Sequence, residues 1–308
     1  MLRYVVLRIL QAIVSLFVVA LIVFFLSRIT GDPIALMLPP EASDGDRAAL
    51  RSQLGLDRPL PVQFLQFVSD LVRFDLGKSF RFDRDVTSLI LERFPNSLLL
   101  AGCAIVFAAL IGIPAGVIAA RKPNSVIDRV CRTLAVSGQS IPTFVIGVVL
   151  ILIFAVNLNI LPSGGAGGPE HLVLPAISLG WFSAAAFVRM ARSSTLEALS
   201  ANYVTVAEAK GLSPNYILFR HALPNALTAI LSLASVQFIV IASGAVITEA
   251  IFDWPGIGLL MVQGAFARDY AVVQGVVIFA AILTIVVNLV TDLLYMQLDP
   301  RIRLTQGS

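Results

Sequence analysis

The stretch Ala201-Asn-Tyr-Val-Thr-Val-Ala-Glu-Ala-Lys-Gly-Leu-Ser-Pro-Asn-Tyr-Ile-Leu-Phe-Arg-His-Ala-Leu-Pro224 lies between two long apolar runs. Asn202 is predicted to cap a first short helix, and Gly211 ends that helix because glycine adopts the left-handed conformation without strain. Ser213 is predicted to cap a second helix with Pro214 at its first position, where a missing N–H costs nothing. The stretch therefore predicts a helix, a glycine turn and a second helix.

The sequence on both sides of this stretch is too apolar for a water-soluble domain. Of the 308 residues, 57% are hydrophobic and only 13% are charged, roughly half the charged share of an ordinary soluble domain. Bilayer-spanning helices need about 20 predominantly apolar residues each. The sequence therefore predicts an all-α integral membrane protein with six transmembrane helices, near 9–28, 97–120, 138–161, 173–190, 227–251 and 271–295.

These windows divide the chain into four predicted parts. Residues 1–28 form an N-terminal transmembrane anchor, because the apolar run is longer than that of a signal peptide and no cleavage site follows it. Residues 29–95 form an extracytoplasmic helical segment with apolar residues at three- and four-residue steps. A transmembrane core at 96–298 contains a cytoplasmic loop at about 191–226, and 299–308 form a cytoplasmic tail.

Basic residues indicate the side of the membrane on which each loop lies. With a cytoplasmic N-terminus, the two short outer loops carry only Arg268, as the positive-inside rule expects. Both termini are therefore predicted to lie inside. The net charge of +3 follows the same rule, so no nucleic-acid partner is expected, and the two cysteines have no metal-type spacing. The inner segments carry Arg3, Arg8, Arg121, Lys122, Arg129, Arg132, Arg189, Arg192, Lys210, Arg220, Arg301 and Arg303.

Several small and polar residues fall inside the predicted spans. Gly112 and Gly116 form a small-x-x-x-small surface, for which helix packing is favoured. Asn288 and Asp292 share a face of the last span, where helix–helix bonding is favoured over ion binding. Four polar residues of the fifth span must face protein or a wet cavity, and both a translocation path and a structural role stay open. They are Gln237, Ser243, Thr248 and Glu249.

The helix pair in 201–224 has two possible roles on physical grounds. Its small residues Ala207 and Ala209 suit docking into a groove of a partner protein. The alternative is an interfacial helix pair that merely joins two spans. Docking is favoured, because a connector of this length is not needed to join neighbouring spans.

The chain resembles the inner-membrane permeases of binding-protein-dependent ABC importers, in the dipeptide, oligopeptide and nickel branch. The hallmark of these permeases is a cytoplasmic loop with Gly followed thirteen residues later by Pro, here Gly211 and Pro224. The branch often has Ala-x-Ala-Lys-Gly-Leu in this loop, as Ala207 to Leu212 do here. The usual Glu-Ala-Ala opening falls on 205–207, where only the last position matches.

Three further stretches carry the same resemblance, so it covers nearly the whole chain. Each is weak alone, but their order and spacing together are specific. The first comprises Gly31-Asp-Pro33, Leu54-Gly-Leu-Asp-x-Pro-Leu60 and Asp75-Leu-Gly-x-Ser79; the second runs from Glu249-x-x-Phe-x-x-Pro-Gly-x-Gly258 to Asp269 and Gln274-Gly275; the third comprises Asn288, Asp292, Tyr295 and Asp299-Pro-Arg-Ile-Arg303.

The resemblance implies the type I ABC importer permease fold and a non-catalytic subunit of the bacterial inner membrane. It implies a second homologous permease, two ABC ATPase subunits that hold ATP and Mg²⁺, and an extracytoplasmic solute-binding protein as partners, with no cofactor on this chain. It implies di- or oligopeptides as the solute, with nickel chelates and glutathione as alternatives. Coupling to the ATPases is expected at Tyr203, Val206, Ala207, Lys210, Gly211, Leu212, Arg220 and Pro224.

Two other classes of protein fit the sequence less well. A secondary transporter driven by an ion gradient would place ionisable groups near mid-membrane, whereas Arg189, Glu249 and Asp292 lie toward span ends. An intramembrane enzyme needs a nucleophile with a base, or metal ligands. His171 is predicted outside and His221 inside, so the two histidines cannot meet.

Overall fold

A computed structural model of the chain describes residues 2–29, 43–53 and 55–298, and helices dominate throughout. A hairpin of two short antiparallel strands, β1 (Lys78–Ser79) and β2 (Arg84–Asp85), interrupts them. The predicted all-α class is confirmed. In chain order the helices are α1 (Leu2–Ile29), α2 (Asp44–Gln53), α3 (Leu60–Val72), α4 (Val86–Arg121), α5 (Val126–Ser140), α6 (Thr143–Leu150), α7 (Glu170–Leu199), α8 (Asn202–Ala209), α9 (Pro214–Ile217), α10 (Leu223–Gly244), α11 (Val246–Ile251), α12 (Ile257–Phe266) and α13 (Tyr270–Leu298).

Two stretches of π-helix join these elements. Residues Ile151–Asn157 extend α6, and residues Leu218–Ala222 connect α9 to α10 without a break. Each π-helical turn holds more residues than an α-helical turn, and such turns are frequent at functional positions. The second helix of the 201–224 stretch, α9, is therefore continuous with the span that follows it.

By length and composition, five helical runs in the described residues are able to cross a membrane. A sixth candidate is the pair α5 and α6, counted with the π-helical extension of α6, which is bent by 99°. The predicted number of spans agrees with this upper count. The five unbroken runs are Val6–Leu26, Val86–Arg121, Glu170–Leu199, Pro214–Ala242 and Tyr270–Leu289.

The predicted span 138–161 is broken near its start. Helix α5 ends at Ser140, Ile141 is extended, and α6 begins after Pro142. A proline disfavours the helical conformation in the residue before it, so the helix stops where Pro142 follows Ile141. Two other boundaries also differ from prediction: α4 begins at Val86 rather than near 97, and the predicted span 227–251 is divided between α10 and α11.

One compact unit of the chain comprises residues 1–95 and 256–297. In its core the first turns of α4 pack against α12 and α13 through aliphatic side chains that include Ile90, Leu260 and Val272. The unit also contains an apolar cavity of about 750 Å³ lined by residues of α1, α12 and α13. None of the four predicted path residues is in that lining.

The β1–β2 hairpin of this unit is held by a buried aspartate. The hydroxyl of Ser79 donates to Asp269 Oδ2 at 2.6 Å, and the backbone N–H of Arg81 donates to the same oxygen. Asp269 Oδ1 accepts from the backbone N–H of Val272 and so caps the first turn of α13. Ser79 and Asp269, two of the residues on which the family resemblance rests, therefore hold the hairpin against the start of α13.

The second compact unit comprises residues 96–255 together with Leu298. Helix α7 is its central element, and α4, α5 and α10 pack on it. A Cβ atom on Gly112 would lie 2.5 Å from Phe187 Cβ, and one on Gly116 would lie 2.5 Å from the carbonyl oxygen of Val188. Both glycines therefore allow α4 to approach α7 more closely than any other residue would.

Candidate functional site

The segment from Ala201 to Pro224, here called the coupling segment, forms the predicted helix, glycine turn and helix. Gly211 has φ of +75°, and its N–H donates to the carbonyl of Glu208 at 2.8 Å. The N–H of Leu212 donates to the carbonyl of Ala207. The hydroxyl of Ser213 accepts from the N–H of Tyr216 and caps α9. The predictions for the turn and for this cap are confirmed.

The prediction that Asn202 caps α8 is wrong. The capping position belongs to Ala201, which is extended, and no side chain accepts a hydrogen bond there. The carbonyl of Ala201 instead accepts from the N–H of Val204. Asn202 is the first helical residue, so α8 begins one residue before the expected position.

A small hydrophobic core holds α8 and α9 together. Val204, Ala207 and Ile217 are buried in it, and Leu212 is partly buried against them. Two residues of the expected coupling set, Ala207 and Leu212, therefore point into the segment. They stabilise its fold and contribute little to its surface.

The coupling segment is fixed to the spans by hydrogen bonds and packing. Arg121 Nη2, at the end of α4, donates to Asn215 Oδ1 at 2.6 Å. Asn225 Nδ2 donates to the hydroxyl of Tyr203 at 3.2 Å and to the carbonyl of His221 at 2.9 Å. Leu218 is buried in the core formed with α7 and α10. These contacts attach the segment to α4, α7 and α10.

Several large apolar side chains of the segment are exposed. Val206 is 55% exposed and Phe219 is 59% exposed, and Tyr203 and Tyr216 are also on the surface. Val206 lies in α8, whereas Tyr216 and Phe219 also belong to the candidate membrane-crossing run Pro214–Ala242. Exposed apolar groups of this kind face lipid or a partner protein. The other members of the expected coupling set on the surface are Lys210, Gly211, Arg220 and Pro224.

Tyr216 and Phe219 were not among the residues expected from sequence. They lie three residues apart in a stretch that reads as apolar, and sequence alone does not say which of its members are covered. Arg121 and Asn225, which attach the segment to the spans, were also missed. Their partners lie 94 and 22 residues away in the sequence.

The four predicted path residues lie in different environments. Thr248 and Glu249 are fully buried. Gln237 is buried as well, and its Nε2 has no hydrogen-bond partner within the described part of the chain. The side chain of Ser243 lies outside the described residues. A path through these four positions stays a prediction.

Glu249 belongs to a polar cluster that also contains Asn96, Ser97 and Trp254. The hydroxyl of Ser97 donates to Glu249 Oε1 at 2.6 Å. Trp254 Nε1 donates to the carbonyl of Asn96, and Asn96 Nδ2 donates to the carbonyl of Pro255, each at 3.0 Å. These bonds fasten the segment after α11 to α4. They favour the structural role for Glu249.

Asn288 lines a cavity of about 350 Å³ together with Arg8, Gln11 and Ser15 of α1. This position suits the expected role of Asn288 in helix–helix bonding, which stays a prediction. The side chain of Asp292 lies outside the described residues. Across the described ranges, no group of three or more His, Cys, Asp or Glu side chains is arranged to hold a metal ion.

Long apolar helices joined by ordered helical loops define a membrane-spanning protein. The chain belongs to the family described as the binding-protein-dependent transport system inner membrane component, which matches residues 112–304. The N-terminal region of the same type of transport component matches residues 1–101. The two matches together cover almost the full chain.

Curated relatives match along nearly their whole length. The glutathione transport system permease protein GsiC of Escherichia coli O6:H1 (strain CFT073) is 40% identical over 304 residues, covering 98% of this chain and 99% of the relative. The proteins of the same name from Escherichia coli strain K12 and Salmonella choleraesuis (strain SC-B67) are each 39% identical with the same coverage.

Solved structures support the fold. A chain of the MetNI methionine ABC transporter in an inward-facing conformation aligns with a TM-score of 0.58 and 21% identity, covering 68% of this chain and 96% of that one. A chain of an amino acid ABC transporter with histidines aligns with a TM-score of 0.55 and 17% identity, covering 68% and 94%. At these identities the likeness concerns the fold alone.

The chain is a permease subunit of an ABC importer. Permease subunits of this kind are non-catalytic, because ATP is hydrolysed by a separate subunit. The family implies ATPase subunits and a solute-binding protein as partners. The predicted family is confirmed, and the secondary transporter and the intramembrane enzyme are excluded.

Proposed function

We propose that this chain forms half of the translocation pathway for a small peptide-like solute, paired with a second, homologous permease. The observation that carries the proposal is the 40% identity, over 98% of the chain, to a permease named for glutathione transport. Glutathione is a tripeptide, so the expected class of di- and oligopeptides is widened to include it. Nickel chelates are the less favoured solute.

The coupling segment is proposed to contact the ATPase subunits from the cytoplasm, with both termini of the chain on that side. The basic residues of the predicted inner loops support this orientation. The exposed Val206 and Phe219, on a segment fixed to the spans, support the contact. Closure of the ATPases on ATP would then move the segment and shift the spans between two arrangements.

Uptake assays in the native host test the solute class. Cells that lack this chain, and the same cells complemented with it, would receive labelled glutathione, a labelled dipeptide or labelled Ni²⁺. We expect complementation to restore uptake of glutathione or the dipeptide, and depletion of ATP to abolish it. Restored uptake of Ni²⁺ alone would contradict the peptide-like class.

Affinity purification of the tagged chain in mild detergent tests the composition of the complex. We expect a second permease of different sequence, two ATPase subunits and a binding protein to accompany it. Recovery of this chain as the only permease in an active complex would contradict the heteromeric pairing.

A further inference from the structure

The apolar cavity of about 750 Å³ in the first unit lies between α1 and the start of α13. Val19, Val23 and Leu26 line it from one face of α1, where they recur at four- and three-residue steps. Val273 and Val277 line it from α13, four residues apart. Ligand-binding pockets have volumes of about 300–1,000 Å³. The cavity is therefore large enough to hold an apolar ligand.

The cavity lies at one end of two membrane-crossing runs. The run of α1 ends at Leu26 and that of α13 begins at Tyr270, and both residues line the cavity. The lining continues to Val19 and Val277, seven residues into each run, which is about 10 Å along a helix. The cavity therefore extends from one surface of the membrane into its hydrocarbon layer.

A cation lies at the surface end of the cavity. Arg268 is part of the lining and precedes the membrane run of α13 by two residues. Its side chain is exposed and forms no ion pair with a carboxylate in the described part of the chain. The neighbouring Asp269 is buried and accepts from Ser79 and from the backbone of Arg81 instead. A cation without a counter-charge at the level of the head groups attracts phosphate.

The backbone at Arg268 has a conformation that glycine adopts more easily. Arg268 follows the last turn of α12 with φ of +55°, and the N–H of Asp269 donates to the carbonyl of Gly264 at 2.7 Å. Helices that end in this way commonly have glycine at the left-handed position, because an L-residue with a side chain is strained there. The turn alone therefore gives no reason for an arginine, whereas a ligand at its guanidinium does.

Two walls of the cavity are fixed by packing. An added Cβ at Gly264 would lie 2.7 Å from Val272 Cγ1, so α12 approaches α13 closely. Asp269 accepts from the N–H of Val272 and caps the first turn of α13. The backbone of Arg268 lies between these two contacts and is therefore held at the end of the cavity.

We propose that this cavity binds an anionic phospholipid, with one acyl chain between α1 and α13 and the phosphate at Arg268. A phospholipid matches both features, because it presents hydrocarbon and phosphate at adjacent depths. The guanidinium suits phosphate, since it donates two parallel hydrogen bonds. Unlike the lipid that surrounds every span, this molecule is held at its chain and at its head group, and it should stay with the protein during purification.

Native mass spectrometry of the purified complex tests the site. The tagged chain, with the subunits that accompany it, is extracted in mild detergent and equilibrated with equal parts of phosphatidylglycerol and phosphatidylethanolamine. We expect one phospholipid to stay bound per copy of this chain after the other lipids are removed. Phosphatidylglycerol should be favoured about fivefold, the factor expected for one cation near the membrane surface.

Two pairs of variants separate the cavity from the cation. Val23→Trp fills the cavity and should abolish the retained lipid, whereas Leu21→Trp, about 200° away around α1, should keep it. Arg268→Gln should remove the preference for phosphatidylglycerol. Its control, Arg73→Gln, removes another exposed cation of the same unit, at the end of α3, and should leave the preference unchanged. Folding of each variant is checked by its elution as a single species.

Photocrosslinking identifies the occupant in the same complex. A small diazirine side chain is introduced in place of Val277, and the complex is irradiated in the membrane before extraction. We expect an adduct with the mass of a phospholipid. An adduct with a second permease or another protein subunit would overturn the proposal and assign the cavity to a protein interface.

Three results of the mass measurement would also overturn the proposal. They are loss of all phospholipid from the wild-type chain, equal retention in the two tryptophan variants, and a lipid preference that is unchanged in Arg268→Gln. The measurement uses neither ATP nor solute, so an error in the proposed solute class leaves it unchanged.

Discussion

The polar cluster around Glu249 and the coupling segment both lie in the second unit and both carry residues of the family pattern, but they use them differently. In the cluster, the buried side chains of Ser97 and Glu249 bond to each other, and the buried Trp254 donates to the backbone of Asn96. In the coupling segment, Gly211 and Ser213 set the backbone, and apolar side chains stay on the surface. The first arrangement stabilises the fold, whereas the second leaves apolar side chains exposed, where we propose that the ATPase subunits bind.

This difference predicts that stability and ATPase attachment respond to different substitutions. Changes in the cluster should lower the free energy of unfolding. Changes on the surface of the coupling segment should reduce attachment while the chain remains stable. If every substitution in either region changed stability and ATPase attachment together, the two regions would not have separate roles.

Glu249→Ala is expected to have the largest effect on stability. It leaves the buried hydroxyl of Ser97 without the acceptor that the structure gives it, and losses of this kind cost about 2–3 kcal/mol. Thermal unfolding of the purified chain in detergent measures the change. Glu249→Gln is the matched control, because its amide oxygen still accepts the hydrogen bond, and it should lose clearly less. Equal unfolding temperatures for the wild-type chain and Glu249→Ala would show that the cluster is not a stabilising element.

Gly211→Val is expected to have an intermediate effect. A branched side chain in the left-handed conformation costs about 1–2 kcal/mol, and the turn should relax and misplace α8 relative to α9. Because α8 is misplaced, less ATPase should co-purify with the variant than with the wild-type chain. Asparagine enters this conformation more readily than valine does, so Gly211→Asn should retain most of the attachment. Unchanged co-purification and transport in Gly211→Val would count against the docking role.

Phe219→Ser is expected to have the smallest effect on stability, within about 0.5 kcal/mol, because the side chain is mostly exposed. It should nevertheless weaken ATPase co-purification more than Glu208→Gln, an exposed change at the end of α8. Pull-down under identical detergent conditions measures the difference. Normal attachment in Phe219→Ser would place the ATPase contact elsewhere on the segment.

The features of the fold that depend on a few neighbouring residues could be predicted from the sequence. The apolar windows depend on composition, and the turn at Gly211 and the cap at Ser213 depend on backbone preferences of single residues. The break at Pro142 could also have been predicted, because a proline disfavours the helical conformation of the residue before it, here Ile141. The prediction followed the apolar composition of the window instead. The π-helical stretches have no comparable local signal.

The parts that could not be predicted depend on residues far apart in the chain. Ser97 and Glu249 are separated by 152 positions and Ser79 and Asp269 by 190, and no sequence spacing indicates such pairs. The coupling segment shows the same limit. Its helices were predictable, but the inward direction of Ala207 depends on how α8 packs on α9, which no residue spacing indicates.

Gly211 differs from the close-packed Gly112 and Gly116, because an added Cβ would meet nothing within 4 Å. Glycine is therefore favoured at this position by the positive φ of the backbone and not by a lack of room for a Cβ atom. An amino acid of mirror-image configuration has its preferred φ on the positive side, where an L-residue is strained. D-alanine introduced at 211 should therefore keep the turn with less backbone strain than L-alanine and narrow the conformations of the unfolded chain.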